Sequence, residues 1–144
     1  MRQVNVHSLE ETEALAAEIA DGISSPRIIL LEGTLGMGKS SFARAFIRHL
    51  CGAPEMEVPS PTFTLVQGYD SAKGEIWHFD LYRLEDPEEI YDLDWDMALE
   101  HGVILAEWPE KIEQIPIKRP VTWICFEKGD TENERIITFK RNAS

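Results

Sequence analysis

Arg27-Ile28-Ile29-Leu30-Leu31-Glu32-Gly33-Thr34-Leu35-Gly36-Met37-Gly38-Lys39-Ser40 decides the fold. Its first part, Arg27 to Glu32, is a short apolar run that reads as a buried strand. Its second part, Gly33 to Ser40, matches the phosphate-loop pattern G-x-x-x-x-G-K-[ST] at every fixed position. The next stretch, Ser41-Phe42-Ala43-Arg44-Ala45-Phe46-Ile47-Arg48-His49-Leu50, reads as a helix with Phe42, Phe46 and either Leu50 or His49 on one face. Strand, glycine loop and helix thus follow in the order that phosphate binding requires.

The chemistry accounts for the residue types. Gly33, Gly36 and Gly38 accept backbone angles that a Cβ forbids, so several N–H groups can point into one concavity. The helix start adds unpaired N–H groups and a partial positive charge. Lys39 brings a full positive charge to the outer phosphates, and the Ser40 hydroxyl is placed to ligate Mg²⁺. The loop implies nucleotide phosphate binding. It does not specify the nucleotide or the reaction.

Outward from the loop, the chain of 144 residues has the length of one domain with a substantial core, residues 1–144. No apolar run approaches the roughly 20 residues that cross a bilayer. Met1 to His7 lacks the apolar centre of a signal peptide. Both favour a cytoplasmic protein without membrane association. Cys51 and Cys125 lack metal-ligand spacing and read as free thiols, and the four histidines are scattered, so no zinc site is visible. The net charge of −12 repels bulk nucleic acid; on an RNA pathway another component has to hold the RNA.

Ser8 followed by Glu11 reads as a capping box opening a helix to about Asp21, with Leu15 and Ile19 inward and Gly22 at the end. Gly52 and Pro54 stop the phosphate-loop helix. Two prolines hold Val58-Pro59-Ser60-Pro61-Thr62-Phe63-Thr64 extended. Thr64 to Tyr69 and Glu75 to Tyr82 read as an antiparallel strand pair. A helix starts at Asp86-Pro87 and a second runs from Asp92 to His101. Val103 to Ala106 is a buried strand ending in Glu107, and Pro109 to Ile115 a helical turn. Val121 to Glu127 and Arg135 to Phe139 close the chain as strands. The class is α/β with a mixed, partly antiparallel sheet, because the early and late strand pairs are too closely spaced for helical crossovers.

A phosphate loop alone hydrolyses nothing; Mg²⁺ normally needs a carboxylate from a second strand. Glu107 and Asp80 both end apolar runs in the required way, and either could reach the metal, directly or through water. Ser60-Pro61-Thr62 is a rigid hydroxyl-bearing loop that by itself reads as a proline-stiffened connection, although in nucleotide switches such a loop can sense a γ-phosphate. Arg83 could contact phosphate or pair with the nearby acids, pairing being the ordinary outcome, and Trp108 could pack near the nucleotide, core packing being the default for a tryptophan.

Together, the loop, Ser60-Pro61-Thr62-Phe63-Thr64-Leu65-Val66, His78-Phe79-Asp80-Leu81-Tyr82-Arg83-Leu84 and Glu107-Trp108-Pro109-Glu110 resemble the TsaE (YjeE) family, from about Ser8 to about Glu127. These are small bacterial ATPases of tRNA threonylcarbamoyladenosine synthesis. The resemblance implies a P-loop NTPase-like three-layer fold. It implies an ATPase that acts on a TsaB–TsaD pair and meets tRNA only through that complex. It implies phosphates held by Leu35, Gly36, Met37, Gly38, Lys39 and Ser40, and Mg²⁺ held by Ser40 and Glu107. Thr62 falls in the first switch loop and Asp80 at a second acidic site position. Lys39, Thr62, Asp80 and Glu107 then carry turnover, and Leu9 and Thr12 fall near the adenine. Thr34 stands where the family often has Asp, and Met37 where it often has Ala.

Three other classes share the loop, one of them the GTPases, whose usual Asn-Lys-x-Asp and Asp-x-x-Gly strings do not occur here. A small-molecule kinase needs lid arginines, and Arg83 is the only arginine between Arg48 and Arg119. A nucleotide-binding interaction module that never hydrolyses shares every motif, because turnover depends on water placement.

Overall fold

The structure, a computed structural model, describes residues 2–23, 27–34 and 36–142. The chain runs through β1 (Arg2–Val6), α1 (Leu9–Gly22), β2 (Arg27–Glu32), α2 (Lys39–Cys51), β3 (Val66–Ser71) and β4 (Gly74–Asp80). After a 3₁₀ segment, Pro87–Leu93, come α3 (Trp95–Glu100), β5 (Val103–Glu107), a 3₁₀ turn at Pro109–Ile112, β6 (Val121–Lys128) and β7 (Arg135–Asn142). The strands form one sheet in the order β1-β7-β6-β2-β5-β4-β3. The four central strands β6, β2, β5 and β4 are parallel, and the outer pairings β1–β7, β6–β7 and β3–β4 are antiparallel. This is the mixed sheet that the strand spacing implies.

Period-two alternation on β2 separates two apolar layers. Ile29 and Leu31 join Leu15, Ala16, Phe42, Phe46, Ile47 and Leu50 under α1 and α2. Ile28 and Leu30 join Phe79, Ile90, Trp95 and Ala98 on the other face. There Phe79 and Trp95 meet edge to face, with ring centroids 5.2 Å apart. Leu50, not His49, completes the buried stripe of α2, while on α1 Leu15 is buried and Ile19 half-buried.

Ser8 Oγ accepts from Glu11 N at 3.1 Å, as a cap should, but Glu11 Oε1 accepts from His7 N instead of closing the box on Ser8. Gly52, at φ 62, donates to the carbonyls of Arg48 and His49 and ends α2. Several elements differ from the sequence expectation. Leu65, at φ 70, donates to Pro61 O at 2.7 Å, so β3 starts after it. Asp86 and Glu89 form a capping box around Pro87, yet the segment winds as 3₁₀. Asp94, at φ 63, interrupts the next stretch, so α3 begins only at Trp95. β1 is an additional edge strand, held antiparallel to β7 with only Val6 fully buried. Among the described residues, no helix is long and apolar enough to cross a membrane.

Candidate active site

The parallel register carries the site. β2 and β4 flank β5, with Leu31 and Asp80 both opposite Glu107. The phosphate loop leaves the end of β2, so its helix start lies beside both carboxylates. A cavity of about 750 Å³ opens there. Gly36, Gly38, Lys39, Ser40, Thr62, Asp80 and Glu107 line it, with Leu9 and Thr12 on the α1 side.

Lys39 is 4% exposed. Its Nζ donates to Gly33 O and sits 3.4 Å from the centre of the Trp108 ring. Burial holds its pKa below the ordinary 10.5, while Glu107, Glu110, Asp80 and Glu32 pull it back up. Ser40 Oγ donates to Glu107 Oε1 at 3.1 Å, and His78 Nε2 meets Glu107 Oε2 at 2.7 Å. Asp80 Oδ1 accepts from Tyr82 N at 3.1 Å. Its Oδ2 accepts from Ser60 Oγ at 3.2 Å and Thr62 Oγ1 at 3.3 Å. The proline-stiffened loop is therefore tied by hydroxyls to one carboxylate, and the phosphate-loop serine to the other.

Comparison with known proteins follows this geometry. The family model for threonylcarbamoyl adenosine biosynthesis protein TsaE matches residues 6–137. The chain belongs to the TsaE family. It is 42% identical over 135 residues to the tRNA threonylcarbamoyladenosine biosynthesis protein TsaE of Rickettsia felis, covering 94% of this chain and 77% of the relative. It is 38% identical over 131 residues to the protein of that name from Bacillus subtilis, covering 90% and 79%. The crystal structure of Bacillus subtilis YdiB superposes with a TM-score of 0.76 at 27% identity, over 99% of this chain and 86% of that one. The fold is that of TsaE, a P-loop NTPase-like α/β fold.

Not every TsaE position expected from sequence reaches the cavity. Met37 is half-buried against the layer under α1 and α2, and lines a separate hollow with Glu32 and Cys125. Leu35 lies outside the described residues. Trp108 is half-buried, packed against the edge of the second apolar layer and over Lys39; at φ 62 it turns out of β5 beside Tyr82, with ring centroids 4.9 Å apart. Arg83 lies 5.0 Å from the centre of the Phe63 ring and not in an ion pair with its acidic neighbours. Asn133 and Arg135, which the motifs do not flag, also line the cavity, and Arg135 donates to Gly36 O at 3.3 Å. The hairpin of β6 and β7 brings them there, so no local signal announces them.

The donor set fits Mg²⁺. Ser40 and Glu107 offer oxygen ligands side by side, and a hard, small cation takes few protein ligands and completes its shell with phosphate and water. Among the described residues there is no group of three or more His, Cys, Asp or Glu that could hold a metal alone.

Proposed function

We propose that this TsaE-family chain binds ATP with Mg²⁺ and hydrolyses it in tRNA threonylcarbamoyladenosine biosynthesis, acting in the cytoplasm on a TsaB–TsaD pair. The observation that supports the reading is that two adjacent carboxylates have different hydroxyl partners. Glu107 faces the phosphate-loop serine, and Asp80 faces the Ser60–Thr62 loop.

Loop amides from Gly36 to Ser40 and the Lys39 ammonium cradle the phosphates. Ser40 Oγ and Glu107 Oε1 would hold Mg²⁺, which when bound neutralises charge on the outer phosphates. Thr62 and Asp80 line the same cavity next to Glu107, and they would orient a water attacking the γ-phosphate. Asp80 would take up its proton as a general base. Leu9 and Thr12 flank the space left for the base. Val58 to Thr64 has no strand or helix of its own, which favours ordering by a partner protein, and the −12 charge disfavours tRNA as that partner.

Paired alanine variants test the assignment. Glu107→Ala keeps Mg²⁺-free nucleotide binding and loses Mg²⁺-dependent hydrolysis; Asp80→Ala keeps Mg²⁺ affinity and loses turnover. Calorimetric titration with and without Mg²⁺, beside phosphate release, reads both. Loss of Mg²⁺ affinity in Asp80→Ala and not in Glu107→Ala would reverse the two roles.

A further inference from the structure

The two oxygens of Glu107 face different partners, and one of those partners has no role yet. Oε1 meets Ser40, and Oε2 meets His78 Nε2. The His78 and Glu107 side chains are each 3% exposed. A carboxylate only accepts, so the proton in this contact lies on Nε2. The other ring nitrogen, Nδ1, is buried without a hydrogen-bond partner. The polar side of the ring is thus committed to Glu107 alone. A histidine present only to fill space would cost less as an apolar residue, because a buried polar atom without a partner is unfavourable.

Strand geometry makes the contact specific. On parallel β4 and β5, His78 is opposite Leu105 and Asp80 is opposite Glu107. Residues two apart on a strand share a face, so His78 and Asp80 both stand beside Glu107, one diagonally and one directly. The terminal torsion of a glutamate is broad and roughly two-fold. Without a donor on Oε2, the carboxylate can rotate away from Ser40 or toward the Lys39 ammonium. Mg²⁺ demands near-ideal octahedral geometry and tolerates such wandering poorly.

We propose, resting on the Mg²⁺–ATP reading above, that His78 is a positioning residue of the metal site. By holding Oε2 it leaves Oε1 as the single glutamate oxygen presented beside Ser40 to the cation. Outer partners of metal-ligating side chains set affinity by about 10–100-fold.

The test uses the full chain with ADP, Mn²⁺ as the spectroscopic probe of the cation site, and the variants His78→Leu, His78→Gln and Glu107→Gln. His78→Leu should weaken Mn²⁺ binding about 10–100-fold, while ADP binding in chelator stays at the parental level. His78→Gln, whose amide N–H can stand near the place of Nε2, should restore Mn²⁺ affinity. Adding His78→Leu to Glu107→Gln should cost nothing further, because the two act through one contact. If His78→Leu melts below the assay temperature, His78→Asn replaces it, its amide being too short to reach Oε2. Parental Mn²⁺ affinity in His78→Leu beside a clear loss in Glu107→Gln would overturn the role of His78 and leave the metal assignment standing. Equal losses in His78→Leu and His78→Gln would assign the effect to ring packing and overturn it too. Parental affinity in Glu107→Gln would instead overturn the metal assignment of Glu107 itself.

Discussion

Lys39→Met separates the two things that Lys39 does. The substitution keeps an unbranched side chain and removes the ammonium. Lys39 is 4% exposed, and its charge is desolvated in the free protein, with carboxylates at Glu107, Glu110, Asp80 and Glu32 only opposing that cost. Because its folded pKa lies below 10.5, the unfolded chain binds more protons between the lowered value and 10.5. Parental stability therefore rises with pH across that window, and the methionine variant loses this alkaline gain. Binding moves the other way. A hydrogen bond to a charged partner is worth about 1.5–3 kcal/mol. That is about a ten- to 150-fold weaker Kd for nucleotide. Calorimetry with a non-hydrolysable ATP analogue reads the affinity, and melting curves across alkaline pH read the linkage. Parental affinity in the variant would refute the phosphate-binding role of Lys39. An unchanged alkaline slope would refute the buried-cation description.

Three further outcomes are expected. Gly102 has φ +78 and a Cβ there would stand 1.9 Å from Glu75 O, so Gly102→Ala must shift backbone as well as bear the left-handed conformation. That conformation alone costs about 1–2 kcal/mol, and a denaturation midpoint equal to the parent's would refute the close approach of β4. The Glu134 carboxyl is held below its ordinary 4.5 by the Asp130 N–H first, then by Asn5 and His7. Its contribution to stability is present above 4.5 and lost as pH falls through the lowered folded value, so Glu134→Gln should show a shallower acid loss in melting temperature; a parallel acid limb would contradict this. Ser60→Ala combined with Thr62→Val removes both hydroxyl donors to Asp80 Oδ2 and should spare ATP affinity while lowering phosphate release, and unchanged release would remove the loop from the mechanism.

The central strand, phosphate loop and α2 were legible because apolar alternation, glycine spacing and a helical stripe all agree within one short stretch. Asp80 and Glu107 were legible as carboxylates ending buried strands, although only the register shows that they face each other. The spacing of His78 and Asp80 carried a signal as well: two polar residues, two apart, at the buried end of a strand share one face. β1 was not legible, since Val4 and Val6 are its only apolar residues and its pairing with β7 is supplied from the far end of the chain. The breaks at Leu65 and Asp94 depend on left-handed backbone that neither residue type announces strongly. Arg135 reaches Gly36 across 99 residues, a contact that no local pattern encodes. For Trp108 the sequence leaves core packing and a place near the nucleotide both open, and the turn after β5 sets its ring at the edge of the apolar layer, over Lys39 and lining the cavity.

Steady-state phosphate release from ATP, measured on the chain alone, with tRNA, with a TsaB–TsaD pair and with both, tests the central claim most directly. The geometry predicts slow release alone, because Ser60 and Thr62 lie in a segment without strand or helix and their hydroxyls are turned to Asp80. Release should rise with the protein pair and not with tRNA alone, in keeping with the net charge of −12. Full activity of the isolated chain, or stimulation by tRNA without the pair, would contradict it.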